Sequence, residues 1–241
     1  MKNNFNNFNN TAQNGGTVSA EMDQGLRSYM LVIYNYMSAA LAITGITAFV
    51  AYQSGLYFVI ASNAILSIVI ALAPLGMVLA LSFKVEKMKF STAQTMFWLF
   101  SVLMGLSLSY IFAVYTSTSI AKVFFITAAT FGSMSIYGYT TKKDLTGFGS
   151  FLIMGLIGII IASIVNLFIQ SANLGFAISV IGVLVFVGLT AYDTQRMKNM
   201  YFQFGGQSAA AGKIAIMGAL SLYLNFINIF IMLLQLIGNR E

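Results

Sequence analysis

Asp193 is the residue best placed to do chemistry. It stands in Gly188–Lys198, Gly-Leu-Thr-Ala-Tyr-Asp-Thr-Gln-Arg-Met-Lys, at the end of an apolar run, with Arg196 and Lys198 just beyond. The chain has six acids: Glu21, Asp23, Glu86, Asp144, Asp193 and Glu241. The other five lie in tails or in loops beside Lys or Arg, whereas an acid that ends a membrane helix is a functional candidate by default. The plain structural reading is an ion pair with Arg196, one helical turn on, worth about 0.2–0.5 kcal/mol. The apolar run Ile214–Ile237 shifts the balance away from it. At about 100° per residue, Ser221, Asn225, Asn228 and Gln235 fall within an arc of roughly 80°. Polar groups are costly on a lipid face, so this face points inward. Interhelical hydrogen bonds, worth about 0.6 kcal/mol on average, would satisfy it. The sharper reading is a polar conduit that ends near Asp193.

Most catalytic chemistry is excluded. The chain has no His and no Cys. A serine nucleophile therefore lacks its base, and zinc lacks its usual ligands. No pair of intramembrane carboxylates suits aspartyl-protease chemistry, and no phosphate-binding loop or HExxH motif is present. The expectation is a protein that is not an enzyme and carries no cofactor. Ca²⁺ can use Asp193 with amide and carbonyl oxygens. One carboxylate makes a weak, transient site that suits passage better than storage.

The elements that position these residues are membrane spans. The 241-residue chain is 59% hydrophobic and 7% charged, against about 25% charged in a soluble domain. Residues 1–26 read as a disordered polar tail, and residues 27–241 as the transmembrane domain. Seven apolar segments follow the tail: Tyr29–Tyr52, Tyr57–Phe83, Thr92–Tyr115, Ser119–Thr140, Phe148–Gln170, Leu174–Tyr192 and Ile214–Ile237. Each is near the length of about 20 residues that spans a bilayer. Ten of the 12 basic residues flank alternate links: Lys2, Arg27, Lys84, Lys87, Lys89, Lys142, Lys143, Arg196, Lys198 and Lys213. Basic links stay in the cytoplasm, so the N-terminus is expected inside and the C-terminus outside. The same dispersal argues against nucleic acid as a partner; the partner is the lipid bilayer. Small residues recur at one-turn spacing, namely Ser101, Gly105 and Ser109, then Ala128 and Gly132, then Gly158 and Ala162. That spacing favours close helix packing. Pro74 should kink the second span.

Three stretches carry a resemblance: Tyr137–Gly149 (Tyr-Gly-Tyr-Thr-Thr-Lys-Lys-Asp-Leu-Thr-Gly-Phe-Gly), Gly188–Gln195 with its Tyr-Asp-Thr-Gln, and Ala219–Phe230 (Ala-Leu-Ser-Leu-Tyr-Leu-Asn-Phe-Ile-Asn-Ile-Phe). With the seven-span layout they resemble the transmembrane Bax-inhibitor-motif (Bax inhibitor-1) family, bacterial branch, over about Arg27 to Arg240. The resemblance implies an all-α bundle of seven transmembrane helices with the last helix central, wrapped by the other six. It also implies a pH-sensitive Ca²⁺ leak, gated by an Asp at the end of the sixth helix and an Asp in the seventh. The first matches Asp193; the second falls on Asn225, a departure that puts the pH switch in doubt. Two neighbouring carboxyls share a proton because both do not easily ionise, and an Asp–Asn pair lacks that term. A basic latch is implied near the inner end of the second helix. Lys84 is the match, and Arg196 is the other candidate. The simpler reading of Lys84, and the preferred one, is an orientation-setting charge.

One tension follows. Asn225 lies about 18 Å along a helix that starts at Lys213, while Asp193 looks nearer the inner surface. Either the sixth helix continues past Arg196 or the seventh begins earlier, near Ser208. The expected function is a passive cation leak in the cell inner membrane, for Ca²⁺ and with protons as a second ion. The competing reading is a non-conducting regulatory protein that binds membrane proteases or stress-response partners through the loop Thr194–Gly212 and the tail.

Overall fold

Long apolar stretches in lipid satisfy their backbone only as helices or closed barrels, and this chain forms helices. The structure, a computed structural model, describes the backbone of residues 5–85, 87–203 and 211–240, with side chains from residue 23 and, after the last gap, from residue 212. Among the described residues nine helices follow in order: α1 Phe5–Gln53, α2 Leu56–Ser62, α3 Ala64–Lys84, α4 Phe90–Leu108, α5 Ile111–Val114, α6 Ser117–Thr140, α7 Thr146–Ile169, α8 Ala172–Gln203 and α9 Ala211–Ile237. The tail expected over residues 1–26 lies largely outside the described side chains. Among the described residues seven stretches are long and apolar enough to cross a membrane: Asp23–Gln53, Ala64–Lys84, Phe90–Val114, Ser117–Thr140, Thr146–Ile169, Ala172–Gln203 and Gly212–Ile237. The fold is an all-α seven-span bundle.

Three boundaries differ from the hydropathy reading. The second span does not begin at Tyr57. Asn63 is extended (φ −116°, ψ 108°), and its side chain accepts from Leu66 N at 3.1 Å. That cap starts a fresh helix, so α2 is a separate short segment and the span begins at Ala64. The third span breaks between α4 and α5, where Ser109 Oγ bonds the Leu106 carbonyl at 2.7 Å. The sixth does not stop at Tyr192 but runs on to Gln203 as α8. Its 32 residues measure about 48 Å, well beyond a hydrocarbon core of about 30 Å. Residues 194–203 are therefore helix rather than loop, and residues 204–210 lie outside the described ones.

The last span is the axis. Helices α1, α4, α6 and α8 pack directly around α9, while α3 packs on α4 and α7 on α8 as outer flanks. Half of the α9 span is buried (50%), against 11% for α3 and for α7. Among the small residues, Gly105 fits the close-packing expectation, since a Cβ there would stand 2.6 Å from Thr47 Cβ. Beside it Thr44 Oγ1 donates to the Ser101 carbonyl at 3.0 Å and shares a 2.7 Å hydrogen bond with the Tyr223 hydroxyl. At Gly132 and Gly158, by contrast, a Cβ would meet open space, so those positions do not draw helices together. Pro74 is buried inside α3, which stays helical through it.

One end of the bundle gathers the basic links. There Lys213 Nζ donates to the Met88 carbonyl at 3.3 Å and Lys198 Nζ to the Tyr139 carbonyl at 2.7 Å. This is called the basic end below.

Candidate functional site

The site exists because α8 and α6 approach closely just before Asp193. A Cβ on Gly138 of α6 would overlap the Ala191 carbonyl of α8, and one on Gly149 of α7 would overlap the Tyr192 ring. Only glycine permits these seams. Past the acid, Gln195 turns to the α6–α7 link. Its Oε1 accepts from Leu145 N at 2.8 Å, and its Nε2 donates to the Lys143 carbonyl at 2.7 Å. On the α6 side, Thr194 Oγ1 donates to the Thr190 carbonyl at 2.8 Å and meets Ser135 Oγ at 3.0 Å. Ser135 Oγ in turn meets the Tyr34 hydroxyl of α1 at 2.5 Å. These contacts keep Thr194, Gln195 and Met197 buried, and they hold α8 helical beyond the apolar run. The two recognised stretches, Tyr137–Gly149 and Gly188–Gln195, are thus two halves of one clamp. Neither Gln195 nor Ser135 stood out in sequence, because the use of each depends on a partner 50 or more residues away.

Held this way, Asp193 meets α9. Its Oδ2 accepts from Asn225 Nδ2 and from Ser221 Oγ, each at 2.8 Å. Asp193 and Asn225 are only 7% and 5% exposed. The geometric tension is therefore resolved by the extended α8. A carboxylate has about four lone-pair positions. Among the described residues, Oδ1 accepts nothing.

The group lines a cavity of about 870 Å³ between α3, α4, α7, α8 and α9. Asn228 also lines it; its Nδ2 donates to the Leu224 carbonyl of its own helix at 2.8 Å. Its carbonyl oxygen has no donor among the described residues. Farther along α9, Gln235 Oε1 accepts from Ser179 Oγ at 2.8 Å and lines a separate vestibule of about 700 Å³ at the end away from the basic links. Ile231 and Met232 stand between the two levels on α9 and line the Asp193 cavity.

The two candidate latches fall differently. Lys84 closes α3 at an exposed position and does not line the Asp193 cavity. The structure does not bring it to the acid, since α3 packs on α2 and α4 rather than on α8. Arg196 does line the cavity. It makes no ion pair with Asp193, because the carboxylate turns to α9 while Arg196 remains exposed. Among the described residues no cluster of three acids, histidines or cysteines offers a multidentate metal site.

A bundle whose central last helix holds a buried carboxylate through one oxygen defines the class: a multi-pass membrane protein with a polar centre built on its sixth and seventh spans. The comparisons narrow this, and the chain belongs to the Bax inhibitor-1 family, residues 26–241 matching the family described as inhibitor of apoptosis-promoting Bax1. It is 47% identical to inner membrane protein YbhL of Escherichia coli over 219 residues, 90% of this chain and 94% of that one. It is 48% identical to an uncharacterised protein of Rickettsia prowazekii, covering 91% and 92% of the two chains. An uncharacterised membrane protein of Streptococcus pyogenes is 34% identical, covering 95% of this chain and all of that one (100%).

Proposed function

We propose that this protein is a passive cation leak of the cell inner membrane, for Ca²⁺ and with protons as a second ion. Its N-terminus and basic end face the cytoplasm and its C-terminus lies outside. The observation that carries the reading is the half-used carboxylate: Asp193 spends one oxygen on Ser221 and Asn225 and lines a cavity with Asn228. A hard cation favours carboxylate and carbonyl oxygens. A single acid with amide neighbours lowers the barrier to a passing ion without trapping it. The orientation is supported by the gathering of Lys143, Lys198 and Lys213 at one end, as basic links stay in the cytoplasm. In this reading the protein acts as a conduit and not as an enzyme.

The test is Ca²⁺ flux into liposomes that hold purified protein and a Ca²⁺-sensitive dye. Flux should exceed that of empty liposomes and fall about tenfold or more in Asp193→Asn, a loss of at least ~1.4 kcal/mol of ion stabilisation. Folded protein that conducts nothing would overturn the leak. It would favour the regulatory reading, in which the protein binds membrane proteases or stress-response partners.

A further inference from the structure

The Asp193 cavity is also a cleft between α3 and α7, the two least buried spans. These helices face each other across it without extensive contact. Its walls include Leu75, Ile160, Ile164 and Leu167, which are 56%, 51%, 52% and 72% exposed. At membrane depth, exposed apolar walls meet acyl chains. Along α7 the lining runs from Ile153 to Leu167, about 21 Å at 1.5 Å per residue. That length accommodates the chain of one leaflet, which fills about half of a ~30 Å core.

The cleft ends at Tyr192 and Arg196, and both also line a second, polar pocket of about 330 Å³ with Thr146, Asn199 and Gln203. Arg196 lies 24 residues beyond Ala172, where α8 begins, or about 36 Å along the helix. That is headgroup depth. Arg196 is exposed and, among the described residues, its guanidinium makes no salt bridge and no hydrogen bond, although its charge acts on Asp193. The side-chain amides of Asn199 and Gln203 make no hydrogen bonds among the described residues either. Of the acids beside this path, Asp144 is engaged with the Thr146 amide and hydroxyl, and Asp193 turns its Oδ2 to Ser221 and Asn225, so that it feels the Arg196 charge without a salt bridge. An apolar trough that opens into a polar pocket with an unpaired guanidinium has the shape and polarity of one amphiphile.

We propose that the α3–α7 cleft binds an anionic phospholipid of the phosphatidylglycerol type, its phosphate on Arg196 and one acyl chain along the cleft. A guanidinium grips phosphate through a fork of donors. The Asn199 and Gln203 amides face a headgroup that carries hydroxyls rather than an ammonium. The cleft between α1 and α6 is a built-in control. It encloses about 770 Å³ and is apolar like the first, but among the described residues no Lys or Arg lines it.

The experiment is native mass spectrometry of the full-length protein, extracted from vesicles of equimolar phosphatidylglycerol and phosphatidylethanolamine. Wild type should keep one phosphatidylglycerol in preference to phosphatidylethanolamine. Arg196→Gln should reduce that adduct about tenfold, and Arg196→Lys should retain part of it. Thermal melts of all three proteins check that they fold alike. A phosphatidylglycerol bearing a photoreactive acyl chain should label Leu75 and Ile164 in wild type more than in Arg196→Gln. Labelling of Phe125, beside the control cleft, should be equal in the two. Equal retention of the two lipids, or an adduct and labelling pattern that Arg196→Gln leaves unchanged, would overturn the proposal. Lipid is counted without measuring flux, so this result stands apart from the leak.

Discussion

Two clefts of similar size flank α9, and they differ in how their polar groups are used. The α1–α6 cleft, about 770 Å³, has Tyr34 and Thr44 engaged on its lining, with Ser38 and Ser117 as its remaining hydroxyls and, among the described residues, no charged side chain. Tyr34 is tied through Ser135 to Thr194, and Thr44 to Ser101 and Tyr223. The α3–α7 cleft, about 870 Å³, has Asp193, Arg196 and Asn228, each with unused hydrogen-bonding capacity among the described residues. Satisfied buried polar groups hold helices together, whereas groups with spare capacity are available to a ligand. The comparison teaches that in lipid neither polarity nor volume marks the site. The mark is charge whose hydrogen-bonding capacity the fold leaves unspent, as at Asp193 and Arg196.

The largest expected effect comes from adding capacity to the second cleft. Asn225→Asp places a second carboxyl where the amide now donates at 2.8 Å. Like charges this close share a proton, and the titration belongs to the pair. Flux in liposomes should become steeply pH-dependent, falling roughly tenfold or more from about pH 8 to pH 5, while wild type stays nearly flat. A flat profile in the mutant would mean that this cleft does not gate, and its difference from the first would lose functional meaning.

A smaller effect tests the seam that sets Asp193 in place. Gly138→Ala drives a methyl into the Ala191 carbonyl. Backbone yields poorly, so a loss of about 1–3 kcal/mol is expected, together with reduced flux. Gly132→Ala, whose Cβ meets nothing, should leave the thermal midpoint and the flux alone. Equal melting of the two variants would show that α6 and α8 have room to spare.

The smallest effect lies under the α1–α6 cleft. Thr194→Val removes the link to Ser135, which keeps Tyr34. Interhelical hydrogen bonds of this kind are worth about 0.6–1.7 kcal/mol, so stability should fall by that amount, with flux reduced far less than in Asp193→Asn. Flux that drops with Thr194→Val as far as with Asp193→Asn would erase the contrast between the clefts.

Much of the fold was legible because lipid imposes a one-dimensional rule: a helix must stay apolar for about 20 residues. Seven spans follow from it, as does the inward polar face of the last one, since Ser221, Asn225 and Asn228 cannot face acyl chains without cost. The contact between Asn225 and the Asp193 region was legible from that face and from the family resemblance together. The ends of helices were less legible. Hydropathy stops at Tyr192, but Thr194 and Gln195 are kept helical by Ser135 and by the Lys143–Leu145 backbone, partners that no local window contains. Lys84 shows the same gap from the other side. Its position at a helix end suited a latch, yet α3 leans on α4 and leaves it on the surface.

What the amino-acid order determined alone is membrane residence, the number of spans, the gathering of positive charge in alternate links and the identity of the single acid that closes an apolar run. Each follows from transfer free energies and helical periodicity, which act residue by residue along the chain. Tertiary structure alone decided that α8 overshoots the membrane, that Asp193 turns to α9 instead of Arg196, and that Arg196 is left at the mouth of a cleft. Those outcomes depend on which helices touch, and the contacts that decide them, Gly138 against Ala191 and Gln195 against Leu145, join residues about 50 positions apart.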